Sequence, residues 1–201
     1  TPLGDCTLRA AIMEANADGA YTNIIFASSI DRIEVLSEMP SITQPVSLIG
    51  NYSNRIEIVG GKNRSPQEDL RFVIMQASTD YSFLTFREFA SSTSGGVFAM
   101  AAPSPSVAVR DSSFIDNTVT TALQAGGVVD VMTLASFAVY RSVFSGNSAS
   151  YGGAISTNLG SYSIWDSEFV NNSADEAGGA IYGPTLGLSI INSLFEGNSA
   201  A

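Results

Sequence analysis

Histidine is absent from these 201 residues, and cysteine, lysine and tryptophan occur once each, at Cys6, Lys62 and Trp165. Without histidine, and with Lys62 remote in sequence from the candidate acids Asp111 and Asp166, few side chains are available as a catalytic base. A lone Cys6 excludes an intrachain disulfide framework. Its expected place is as a small buried hydrophobe in the first turn of a helix, with an intermolecular bridge as the alternative. No apolar run reaches the roughly 18 residues of a membrane span, and nothing resembles a signal peptide. The chain begins at Thr1 without methionine, which suits a processed secreted protein or a trimmed chain alike. Nine basic against nineteen acidic residues give a net charge of −10, which argues against nucleic acid or an anionic membrane as partner.

What is present is repetition. One phrase occurs four times: Ser112-x-Phe114-x-x-Asn117, Ser142-x-Phe144-x-x-Asn147, Ser167-x-Phe169-x-x-Asn172 and Ser193-x-Phe195-x-x-Asn198. The Phe-to-Phe steps are 144−114=30, 169−144=25 and 195−169=26. A second beat, Gly126-Gly127, Gly152-Gly153 and Gly178-Gly179, falls between the phrases at steps of 152−126=26 and 178−152=26. Periods in this range mean a stacked architecture. Each unit holds only short runs of four to six apolar or alternating residues, such as Ser161–Trp165, punctuated by Gly, Asn and Ser, so the runs are strands. A turn that advances the chain by one strand spacing, roughly 4.8 Å, stacks like on like.

This predicts a right-handed parallel β-helix in which Phe114, Phe144, Phe169 and Phe195 form an internal aromatic ladder. Asn117, Asn147, Asn172 and Asn198 are expected at one corner, in left-handed backbone and with amides bonded rung to rung. The paired glycines make another corner, where lack of Cβ lets the next sheet start close to the last.

At 45% hydrophobic content the chain can bury one substantial core, and residues 1–201 are expected to be a single β-helix domain. Residues 1–20 break the strand pattern. Leu8, Ala11, Ile12 and Ala15 lie on one helical face, with Asp5 or Thr7 as N-cap and the stretch to Gly19 as the stop; such a helix would cover the open first rung. Residues 21–110 read as irregular rungs and 111–201 as regular ones with an uncapped C-terminal end. Gly61–Asp69 is the most polar segment and reads as a loop leaving the coil. The step of 126−95=31 from Gly95 to Gly126 signals an insertion, placed within Ala101–Ser106 because Pro103 and Pro105 forbid a central strand.

With helix and repeats in hand, the chain resembles the bacterial right-handed parallel β-helix proteins that open with a Cys-Ser-Leu-Arg-Glu-Ala motif and continue with repeats like those of polymorphic outer-membrane proteins. The motif aligns with Cys6-Thr7-Leu8-Arg9-Ala10-Ala11; Ala10 in place of Glu removes the acid of a capping box, a loss of about 1 kcal/mol. The Phe-x-x-Asn and Gly-Gly-Ala-Ile phrases align with Phe144–Asn147 and Gly152–Ile155, and with Phe169–Asn172 and Gly178–Ile181. The resemblance implies a secreted or surface-displayed passenger, often an adhesin, and supplies no catalytic residues.

Carboxylates give the rival reading, because polysaccharide lyases and glycosidases also use this fold. Three residues before each ladder Phe stand Asp111, Arg141, Asp166 and Asn192, an expected surface column with Arg141 between two acids. Asp111 and Asp166 would lie two rungs, roughly 9.6 Å, apart, a separation a glycosidase could use. The arginine between them would hold both ionised, however, so neither could serve as the protonated partner. Asp175-Glu176 with Asp116 or Asn171 is a weak calcium candidate that lacks the spaced glycines of a β-roll, and the three Asn-x-Ser sequons are of the kind expected by chance in so Asn- and Ser-rich a chain. No cofactor is expected. The function expected is a secreted, cell-surface structural or adhesive module. Its expected partners are other copies of itself, or a longer parent chain, at the C-terminal rung, and a glycan or host surface protein.

Overall fold

The computed structural model describes residues 7–61, 69–101, 105–131 and 134–201. Cys6, Lys62 and Pro103 therefore lie outside the described residues, as does most of the polar loop. The chain is an all-β parallel solenoid with one short helix at its N-terminal end.

Four parallel sheets form the sides. The first, with seven strands, stacks Thr22–Ile25, Val46–Ile49, Thr79–Ser82, Ser106–Arg110, Ser136–Tyr140, Gly160–Trp165 and Thr185–Ile191; these strands number rungs 1 to 7. The second, also seven-stranded, stacks Arg32–Glu34, Ile56–Val59, Leu84–Arg87, Ser113–Ile115, Val143–Ser145, Glu168–Val170 and Leu194–Glu196. The third and fourth have five strands each. The third runs from Ala90–Ser91 through Thr118–Val119, Ser148–Tyr151 and Ser173–Ala177 to Ser199–Ala200, and the fourth from Val73–Met75 through Phe98–Met100, Val129–Val131 and Ile155–Thr157 to Ile181–Tyr182. The four-sided rung is already complete at rung 3, so the regular geometry begins before the Ser-x-Phe-x-x-Asn phrase does.

Register follows from identity. Phe86, Phe114, Phe144, Phe169 and Phe195 pair in a single column, which continues upward as Ile58 and Ile33. The rings from Phe114 to Phe195 stack nearly parallel, with centroids 4.7, 4.6 and 4.8 Å apart. Phe86 extends the stack at 5.4 Å and joins Phe72, Tyr81 and Phe98 in an aromatic cluster across rungs 2 and 3.

The asparagines are buried at 117, 147 and 172, and each amide is fully used. Asn147 Oδ1 accepts from Asn117 N and Asn117 Nδ2, both at 3.0 Å, while Asn147 Nδ2 donates back to the Phe114 carbonyl at 3.0 Å and forward to Asn172 Oδ1 at 2.9 Å. A parallel ladder of serines lies beside it: Ser142 Oγ donates to its own strand's Tyr140 carbonyl at 2.8 Å and accepts from Ser112 N at 3.2 Å.

The left-handed backbone falls one residue earlier than the sequence suggested. It belongs to Glu88, Asp116, Gly146, Asn171 and Gly197, not to the ladder asparagines. The asparagine must turn its amide inward over the rungs, so the residue before it makes the sharp turn. Where that residue is Asp116 or Asn171, its side chain folds over the next rung, and the next rung has glycine there. A Cβ on Gly146 would strike the Asp116 carboxylate, and one on Gly197 the Asn171 amide.

The insertion also sits elsewhere than Pro103 and Pro105 suggested. From ladder asparagine to double glycine takes 126−117=9 residues in rung 4 against 152−147=5 in rung 5, so four extra residues lie in the 120–125 turn. The stretch from double glycine to the next corner differs less, 111−95=16 against 141−126=15.

At the N-terminal end, α1 (Leu8–Asp18) is capped by Thr7, whose hydroxyl accepts from Ala10 N, and ends at Gly19 with φ 71°. It buries Leu8, Ile12 and Ala15. Two polar residues pin it. Arg9 donates to the Ser37 and Glu38 carbonyls at 2.9 Å each, and Asn16 bonds the Ser41 carbonyl and Thr43 N at 2.8 and 2.9 Å. On the side toward Ile24, Phe26, Ile30 and Ile33 a groove of about 920 Å³ remains between helix and rung.

Breaking one rung of the amide ladder leaves two buried donors and a carbonyl of its neighbours unsatisfied, at roughly 1–3 kcal/mol per group. Asn147→Ala is expected to lower stability by about 3 kcal/mol or more in urea unfolding. Phe144→Leu, which keeps an apolar group in the column, is expected to cost under about 1.5 kcal/mol.

Candidate functional site

The first sheet presents the broadest outer face. Strand alternation turns Val107, Val109, Phe137, Val139 and Ile164 into the core, so their neighbours point outward. Register stacks these neighbours in three columns over rungs 4 to 7: Ser106–Ser136–Ser161–Gly187, Ala108–Ala138–Ser163–Ser189, and Arg110–Tyr140–Trp165–Ile191. The first two make a flat floor of hydroxyls and methyls. The third is a ridge: the Arg110 guanidinium lies 4.9 Å from the Tyr140 ring centroid, and Tyr140 stacks on Trp165 at 4.8 Å and 10°. Arg110 is held from the other side by Asp80 at 2.9 Å.

Among the described residues this is the one face without a carboxylate over rungs 4 to 7. The second sheet turns Glu168 and Glu196 outward, the third carries Asp175 and Glu176, and the fourth Asp130. In a chain of net charge −10 that absence matters: the nearest carboxylates, Asp111 and Asp166, stand at the corner beside the face, and Asp80 is paired with Arg110. No periodic identity marks the ridge in the sequence, since its members are an arginine, a tyrosine, a tryptophan and an isoleucine. Only the register reveals it.

The expected charge column lies at the corner between the first and second sheets. Phe83, Asp111, Arg141, Asp166 and Asn192 all occupy left-handed backbone there, with φ of 56, 50, 45, 50 and 49°. Asp and Asn tolerate that conformation, and Phe83 and Arg141 occupy it at a cost. Arg141 does not bridge its two neighbours equally. Its Nε and Nη2 take both oxygens of Asp111 at 2.9 and 2.8 Å, while Asp166 acts on it through the electric field alone. Hydrogen bonding to Asp111 and the field of both acids raise the guanidinium's pKa.

A second acid has a different environment. Asp130, on the outer side of the fourth sheet, is largely buried, and burial raises its pKa, opposed by the Ser156 hydroxyl it accepts from and by the charge of Arg71. Arg71 itself is tied to Glu38 at 3.0 Å and to the Thr93 hydroxyl and Ser94 carbonyl at 3.1 Å each. Nothing in the sequence pattern singled out Asp130. Asp175 and Glu176, the calcium candidates, are exposed on the third sheet, and among the described residues no group of three acids, cysteines or histidines converges on a point.

With this geometry in place, comparison with known families finds that residues 141–158 and 166–184 match the Chlamydia polymorphic membrane protein repeat. Each matched segment runs from the charged corner through the Phe and Asn ladders to the double glycine and the fourth sheet. The first-sheet strand between them falls outside, and so does rung 4 with its lengthened turn. Comparison with curated proteins and with solved structures found no match.

Two outcomes check these assignments. Arg141 is 56% exposed, so Arg141→Ala is expected to cost no more than about 1 kcal/mol in chemical unfolding, as exposed ion pairs do. For Asp130 the folded pKa lies above the unfolded one, so the folded state holds the proton more tightly; stability falls as pH rises between the two values and stays lower above them. Asp130→Asn is therefore expected to raise the thermal midpoint at pH 7 and to remove this part of the acid-side gain, measured by calorimetry from pH 4 to 7.

Proposed function

We propose that this chain, a parallel β-helix of the polymorphic-outer-membrane-protein kind, is a surface-exposed adhesive or structural module that works by presentation. Supporting this is the match of two of its rungs to a repeat named for a polymorphic membrane protein. A stiff rod built by vertical register holds a contact face in fixed geometry, and the partner is a glycan or a protein of a neighbouring cell surface. End-to-end stacking of copies into filaments is the form of assembly proposed.

The observation that carries the reading is the first-sheet face. A flat floor of Ser and Ala beside a ridge of Arg110, Tyr140 and Trp165 has the composition of interface hot spots, where aromatics and arginine dominate. The Tyr140 hydroxyl and the Trp165 indole N–H make no hydrogen bond among the described residues, which leaves both polar tips available to a partner. The ring faces are already covered by one another and by Arg110, so contact is made through edges and polar tips.

The test is binding of the purified protein to a glycan panel and to cell surfaces. Tyr140→Ala with Trp165→Ala is expected to weaken retention by about tenfold or more, the scale of a lost hot spot, while Glu168→Gln on the neighbouring face leaves it unchanged. Equal loss from both, or none from either, would count against this face. Product released from an acidic polysaccharide panel would favour the carbohydrate-active rival instead.

A further inference from the structure

The corner that leads into the first sheet is built from residues its backbone disfavours. Leu134 and Leu159 lie there in left-handed backbone, with φ of 65 and 61°, and their side chains are 67% and 42% exposed. Leu134 N donates to the Leu159 carbonyl at 3.3 Å and Leu159 N to the Pro184 carbonyl at 3.0 Å, so the three residues form one column over rungs 5 to 7. Left-handed backbone crowds a leucine Cβ against a carbonyl, and exposure forgoes the burial of its apolar surface. Asp, Asn or Gly holds most other left-handed positions of the chain. Phe83, Glu88 and Arg141 depart from that rule but have partners: Phe83 meets the Tyr52 ring at 5.4 Å, Glu88 pairs with Arg87, and Arg141 with Asp111. Residues held against local preference, with their apolar surface in solvent, point to contact with another molecule.

The column borders the Ser and Ala floor on the side opposite the Arg110–Tyr140–Trp165 ridge, so the floor is flanked along the rod axis by bulky side chains on both sides. From rung 4 to rung 7 it extends three rung steps, roughly 14 Å. Arg110 is balanced by Asp80 at 2.9 Å, and the outward columns of these rungs hold no carboxylate and no amide side chain. The Tyr140 hydroxyl and the Trp165 indole N–H stand one rung apart as donors.

A sugar would need amide or carboxylate acceptors for its hydroxyls and an open ring face to stack on, and the ridge closes its ring faces upon itself. Proline-rich chain fits better. Proline has no N–H, so such a backbone offers carbonyl acceptors alone, and the polyproline II helix leaves them unpaired. Three residues make one turn of about 9.3 Å, close to the roughly 9.6 Å of two rungs. A polyproline II segment along the axis therefore keeps phase with the rungs, which an extended strand repeating at about 6.7 Å does not.

We infer that the first-sheet face binds a neutral, proline-rich protein segment in the polyproline II conformation, laid along the axis between the Leu134–Leu159–Pro184 column and the Tyr140–Trp165 ridge. This rests on the presentation reading above and names its partner class as protein, not glycan. The floor takes about five residues. Apolar side chains of the segment pack on the leucines while its carbonyls accept from Tyr140 and Trp165.

Trp165, the single tryptophan, reports occupancy directly. Its emission is followed while the purified protein is titrated with a blocked peptide of repeated Pro-Pro-Leu, about four turns long, and with a Gly-Ser-Leu peptide of equal length that keeps the leucines but is a flexible coil. The first is expected to bind saturably and at least about tenfold more tightly than the second. Leu134→Asn with Leu159→Asn is expected to weaken it by about tenfold or more, with the thermal midpoint unchanged or higher because Asn tolerates left-handed backbone. Leu123→Asn makes the same change at a left-handed leucine between the third and fourth sheets, and is expected to leave binding unchanged. No saturable change below about 1 mM, equal affinity for both peptides, equal loss from Leu123→Asn, or a lower thermal midpoint in the double variant overturns the inference, the last by showing that the leucines serve the fold. Dimerisation that the double variant abolishes would make a second copy the occupant and overturn it too. Glycan retention that depends on Tyr140 and Trp165 but not on the leucines would overturn it while leaving the presentation reading intact, so the two fail separately.

Discussion

At the corner after the second sheet the buried amides of Asn117, Asn147 and Asn172 are satisfied by the rungs above and below, and the rest of the structure depends on that constraint. There the backbone ladder lapses at two groups, the asparagine N–H and the phenylalanine C=O, which stay inside the rod and need other partners. Asparagine resolves this because one amide offers an acceptor and two donors at once. Asn147 serves Asn117 above, Asn172 below and the Phe114 carbonyl beside it. The amides meet only if successive rungs lie in vertical register, and once they do, the rings of Phe114, Phe144 and Phe169 are held over one another at stacking distance. Polar ladder and aromatic stack thus enforce the same register, one by the cost of an unmade bond and the other by packing.

Register is also what gives the outer surface its character. Residues with no resemblance in sequence become neighbours because they share a rung position, as Arg110, Tyr140 and Trp165 do. The matched repeat segments hold the corner, the ladders and the glycines, and the first-sheet strand between them lies outside the match.

Much of this was legible in the residues themselves. The phenylalanine and asparagine columns could be read because identical residues recur at identical positions. Phe86 escaped because rung 3 has Leu84 and Phe89 where the phrase would have serine and asparagine. Asparagine's tolerance of left-handed backbone pointed to the wrong member of each pair, since a side chain committed to an internal ladder cannot also make the turn. Prolines drew attention to Pro103–Pro105, whereas counting from asparagine to double glycine puts the longer insertion at 120–125. Arg9 and Asn16 gave no sign of their role, because their acceptors are backbone carbonyls of a connector some 25 to 29 residues away. Patterns that repeat were readable; contacts made once, between unlike residues, were not.

The most direct test of the vertical register is scalar coupling across the amide ladder itself, measured by NMR on uniformly labelled protein. Coupling from the backbone and side-chain nitrogens of Asn117 to the side-chain carbonyl carbon of Asn147, and from Asn147 to Asn172, is the result this account predicts. Absence of these couplings, with the three side-chain amides exchanging as freely as those of exposed asparagines, would contradict it.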